Sequence, residues 1–112
     1  MESSLPLISL IIILIILEAV SQYNLKLFSQ SNTIHNFVFA IIIYILIALG
    51  LSYLFSIEKM GIVNHMWNVG TSILVILVGY MFFNEDVNTK QGIGFIFGLI
   101  GMVLMASGGK IL

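Results

Sequence analysis

The chain has no cysteine and no arginine, and few charges of either sign. Without cysteine there is no disulfide framework and no thiol chemistry. Four basic residues stand against five acidic ones, for a net charge of -1. That balance leaves no basic patch for nucleic acid. Charged residues make up 8% of the chain, where soluble domains carry about 25%. What is abundant is apolar: 60% of the 112 residues, with a mean hydropathy of +1.15. So apolar a chain cannot hide its surface in one soluble core, and it belongs in a membrane.

Four apolar segments carry that excess, at residues 5–28, 37–57, 61–83 and 91–112. Each is close to the roughly 20 residues a spanning helix needs. The breaks between them, "SQSNTIHN", "EKM" and "NEDVNTK", are short and polar. Backbone groups in lipid must be satisfied internally, and runs this long without strict alternation are helices rather than barrel strands. The expected fold is an all-α membrane protein: one domain of four transmembrane helices over residues 1–112. A cleaved leader is not expected, because the head carries Glu2 with no lysine, and Glu18 interrupts the first apolar run. Short connections make neighbouring helices antiparallel. Lys59 and Lys110 then lie at the end of the bundle that holds the termini, and Lys26 and Lys90 at the other. Two against two gives no positive-inside bias, which suggests dual topology.

Glu18 is the residue that composition does not explain. It lies within the first run, and residues at i, i+3, i+4 and i+7 share a helix face. That face continues through Ser21, Gln22 and Leu25, and runs back through Ile15, Leu14 and Ile11. An ionised carboxylate facing lipid costs about 2.5–3.5 kcal/mol even on the lenient insertion scale. Such residues turn to a bundle interior or a wet cavity. A carboxylate there can hold a proton or a cation, but not comfortably both, which is the minimal chemistry of a proton–cation exchanger. The competing reading is a protonated packing residue bonded to a neighbouring helix. All four lysines lie near segment ends, so no cation is an obvious partner at membrane depth.

The third segment, "GIVNHMWNVGTSIL", supplies a matching wall. Asn64, Trp67, Asn68 and Thr71 share a face, with His65 at its edge. Trp67, the only tryptophan, has a ring face that attracts cations, although an interface-belt anchor would look the same. His65 reads more readily as a hydrogen-bonded histidine near a loop than as a proton relay. One histidine and one glutamate do not make a metal site, and neither metal nor cofactor is expected. In the second segment Tyr44 needs a partner for its hydroxyl, and Glu18 is a candidate; a packing aromatic is the alternative. The fourth segment has no acid. Its Gly94, Gly98 and Gly101 lie along one edge, which permits close approach of another helix and suggests a role in association.

Taken in order, Glu18 and Lys26, Tyr44, Gly61-Ile62-x-x-x-x-Trp67, "GYMFFNED" and the Gly94–Gly101 spacing resemble the small multidrug resistance family of the drug/metabolite transporter superfamily. The resemblance runs nearly the length of the chain. It implies an antiparallel, dual-topology dimer, expected as a homodimer in the lipid bilayer, in which the two Glu18 residues bind either protons or a small cationic substrate. It further implies that Trp67 lines the substrate site, that Tyr44 bonds or flanks it, and that Gly94 and Gly101 sit at the dimer contact. Three positions depart from the family pattern: Asn64 replaces a tyrosine, Val69 a small residue and Ser21 a glycine. With Asn68 and Gln22, these changes add amides and weaken an aromatic cage, which suits a guanidinium or polyamine better than a flat aromatic cation.

Two other readings compete with an exporter. One is a subunit of a lipid-linked sugar flippase. The other is a non-transporting assembly protein whose polar residues only join helices. An enzyme is not expected, since no acid–base pair, nucleophile constellation or phosphate loop is present.

Overall fold

The structure is a computed structural model that describes residues 4–108. Those residues form four helices: α1 Ser4–Ser31, α2 Ile34–Ile57, α3 Met60–Phe83 and α4 Thr89–Ser107. All four are long and apolar enough to cross a membrane. The fold is therefore all-helical, and it fits a multi-pass membrane protein. Lys110, which entered the charge count above, and residues 109–112 of the fourth expected segment lie outside the described residues.

The polar breaks are shorter than expected, because polar residues end an apolar run without ending the helix. α1 runs on through Ser29 and Ser31, whose hydroxyls donate to the carbonyls of Lys26 and Leu27. Side-chain bonds of this kind satisfy carbonyls near a helix end. The chain then turns at Asn32, whose φ of 55° is the left-handed conformation that asparagine tolerates. Asn84 does the same after α3, also with φ 55°. α4 starts at a capping box: Gln91 N–H donates to Asn88 Oδ1 at 2.8 Å, and Asn88 N–H donates to Gln91 Oε1 at 3.0 Å.

α1 is the central helix, packed on both α2 and α3. Its buried stripe is Leu7, Ile11, Leu14, Glu18 and Ser21, steps of three and four residues that keep one face turned inward. From α2 come Ala40, Ile43, Ile47 and Leu54, and from α3 come Val63 and Thr71. Two glycines set the approach of α1. A Cβ at Gly50 would stand 2.7 Å from Leu14 Cδ2, and one at Gly70 would overlap Ile15 Cδ1. Between membrane helices, where lipid is as apolar as leucine, such small-residue notches supply the van der Waals contact that holds helices together.

α4 packs on α3 alone. An apolar gap of about 240 Å³, lined by Ile8, Ile12 and Met102 among others, separates it from α1. In its most apolar window only 6% of residues are buried, against 33% in α1. Ile93, Ile96, Phe97, Ile100, Val103 and Leu104 all face outward. The assembly is a slab of 44 × 35 × 19 Å, two helix diameters thick.

Candidate functional site

Glu18 sits about midway along α1, with 6% of its surface exposed. Two donors converge on one of its oxygens. Gln22, one turn further along α1, donates from Nε2 to Glu18 Oε2 at 2.8 Å. The Tyr44 hydroxyl donates from α2 to the same Oε2 at 2.6 Å. Oε1 accepts no hydrogen bond among the described residues, and Glu18 forms no ion pair there. One oxygen is therefore held in place while the other stays available to a proton or a cation. A buried carboxylate normally receives several donors or a counter-charge. This one receives two neutral donors on one side only.

The donors open onto a cleft of about 440 Å³ between α1, α2 and α3. Gln22 and Tyr44 lie among its lining, together with Tyr23, Lys26, Phe83 and Glu85. Glu18, Gln22 and Lys26 are spaced i, i+4 and i+8, so they form a ladder up one face of α1. At its outer end Lys26 Nζ meets Glu85 Oε2 at 3.1 Å. Sequence spacing gives no hint of this pair, because Glu85 lies in the connection after α3. Nor did the sequence single out Glu58, which is buried at the α2–α3 turn. Glu58 Oε1 accepts from Lys59 N–H, while its Oε2 is buried without a partner among the described residues.

The remaining candidates fall into two groups. Ser21, Trp67 and Thr71 turn inward. Their polar atoms (Ser21 Oγ, Trp67 Nε1 and Thr71 Oγ1) are buried without partners among the described residues, and the Trp67 ring packs against the apolar core. Asn64 and Asn68 turn outward and are exposed. They bond each other, with Asn68 Nδ2 donating to both Asn64 O and Asn64 Oδ1 at 2.9 Å. Ser72 continues the stripe by donating to Asn68 O. Within one chain these amides neither line the cleft nor reach Glu18. His65 Nε2 is buried beside Gly101 without a partner among the described residues.

Of the glycines Gly94, Gly98 and Gly101 of α4, two face the same chain. A Cβ at Gly98 would lie 3.8 Å from Val69 Cγ1, and one at Gly101 3.6 Å from His65 Nε2. Gly94 has nothing within 4 Å. Gly98 and Gly101 thus lie within van der Waals range of α3, whereas Gly94 is open within the chain. No group of three or more metal-ligating side chains occurs among the described residues.

No protein-family model matches the chain, and no curated protein does so either.

Proposed function

We propose that this protein is a proton-coupled exporter of small cations, working as an antiparallel homodimer in the manner of the small multidrug resistance transporters it resembles. The observation that carries the reading is the Glu18 carboxylate. It is buried in a helix long enough to span a membrane, and among the described residues it is bonded on Oε2 alone. A carboxylate in that setting is stable when it carries a proton or faces a cation, and it exchanges one for the other. Cation arrival displaces the proton, and proton return releases the cation. Tyr44 and Gln22 orient the carboxylate in both conditions.

The dimer is supported by what one chain leaves uncovered. The Asn64–Asn68–Ser72 stripe is exposed on an apolar helix, and polar groups turned to lipid carry a free-energy cost. A second copy placed against that stripe covers it and brings the amides toward the shared cation. Amides add hydrogen-bond acceptors, which favour guanidinium or polyamine over flat aromatic cations.

The test is proton release from the purified protein in detergent on addition of guanidinium, a polyamine or tetraphenylphosphonium, with Glu18→Gln as control. Release that the substitution abolishes is the expected outcome. Absence of release with every cation sinks the exporter reading and turns attention to a flippase subunit or an assembly protein.

A further inference from the structure

The outer end of the cleft holds a second carboxylate, and it is built into the fold with some care. After α3 the chain turns at Asn84 in the left-handed conformation, and Glu85 N–H donates back to the Gly79 carbonyl at 3.1 Å. This returns the Glu85 side chain onto α3, directly over Gly79, where a Cβ would overlap Glu85 Oε1. Any other residue at Gly79 would push the carboxylate away. Glu85 Oε2 faces the Lys26 ammonium at 3.1 Å, which also lies 5.9 Å over the Phe83 ring. Phe83 is backed by Tyr23, with ring centroids 5.5 Å apart. A carboxylate beside an aromatic face is the environment that recognises an organic ammonium.

We infer that Glu85 and Phe83, seated on Gly79 and Tyr23, form an outer subsite for a primary alkylammonium, which the Lys26 ammonium occupies as a tethered occupant. Lys26 shows what the subsite takes: an –NH₃⁺ on an aliphatic stem. The tether is displaceable. The Lys26 and Glu85 side chains are 43% and 52% exposed, and an exposed pair of this kind is weak and screened by salt. When a soluble ammonium replaces it, Lys26 can swing into water at the helix end with little loss. Glu18 lies two turns below Lys26 on the same face, ~12 Å along the axis, with Gln22 between them. The subsite therefore selects an alkylammonium at the mouth of the cleft that leads to Glu18. Its place on a transport path rests on the function proposed above, whereas its binding of an alkylammonium does not.

The experiment uses the full chain carrying Glu18→Gln, so that the inner carboxylate cannot contribute. Backbone amide resonances of Gly79, Phe83 and Glu85 are followed in micelles while butylammonium chloride is added, with potassium chloride at equal ionic strength as control. The expected result is a saturable shift at these three amides. Adding Lys26→Gln removes the tethered competitor and lowers the apparent Kd by up to about fivefold, the factor that a weak exposed pair imposes. Adding Glu85→Gln instead abolishes the shift, while the rest of the amide spectrum reports that the fold is intact. Shifts no larger than those with potassium chloride, or shifts unchanged by Glu85→Gln, overturn the subsite. Failed proton release in the wild-type protein, with these shifts intact, removes the transport reading and supports the subsite.

Discussion

The Tyr44 hydroxyl reaches across from α2 to donate to Glu18 Oε2 at 2.6 Å, joining residues 26 apart in the chain. This is the one polar bond between two membrane-depth side chains of different helices among the described residues. It does two things together. It ties α1 to α2 at the level of the carboxylate, and it commits one carboxylate oxygen while the other accepts no hydrogen bond among the described residues.

Tyr44→Phe removes that bond and keeps the ring. The expected loss is about 0.6–1.7 kcal/mol, the range measured for polar bonds between membrane helices. Thermal unfolding in detergent reads it. An unchanged midpoint would mean that the bond contributes nothing to holding α1 on α2.

The two obvious replacements for Glu18 separate folding from chemistry. Glu18→Gln keeps an oxygen that accepts from Tyr44 and Gln22, so the fold is expected to be retained while the proton exchange proposed above is lost. Glu18→Ala leaves the Tyr44 hydroxyl without its acceptor, and the variant is expected to be about 1–3 kcal/mol less stable than Glu18→Gln. Equal stability of the two variants, measured by denaturant or thermal unfolding, would contradict the geometry.

The glycines predict a contrast. Gly70→Ala places a methyl group on Ile15, and Gly50→Ala places one on Leu14; overpacking of this kind costs about 1–3 kcal/mol. Gly94→Ala meets nothing within its own chain and should leave unfolding unchanged. If α4 carries the dimer contact, Gly94→Leu weakens self-association without unfolding the chain, which cross-linking or sedimentation in detergent would detect.

Asn88→Ala breaks the capping box at the start of α4. The expected cost is about 0.5–2 kcal/mol. Because α4 packs on α3 alone, the loss should appear locally, as faster amide exchange over the first turn of α4. Uniformly faster exchange across all four helices would argue that α4 is not a separate unit.

Much of the molecule is legible in the chain because the period of a helix is fixed. Apolar run length locates four helices, and the i, i+4 rule alone places Gln22 beside Glu18. Local rules fail at the C-terminal end of α1, where serine side chains bond backward and the helix outlasts the apolar run. His65 and the α4 glycines depend on something that local rules leave open. Helical spacing says which residues share a face but not what the face meets, and here Gly98 and Gly101 meet α3 of their own chain.

By itself, then, the sequence determined the membrane class, the four helices, the isolated acid and the polar stripes that accompany it. Those properties follow from composition and from neighbours within one or two turns. Only the tertiary structure decided that Tyr44 reaches Glu18, that Asn64 and Asn68 turn away from it, and that Lys26 pairs with Glu85 rather than with the inner acid. Each of those depends on the rotation and depth at which one helix is set against another. Here that setting comes from contacts between distant residues, such as Leu14 against Gly50, Ile15 against Gly70 and Glu85 over Gly79.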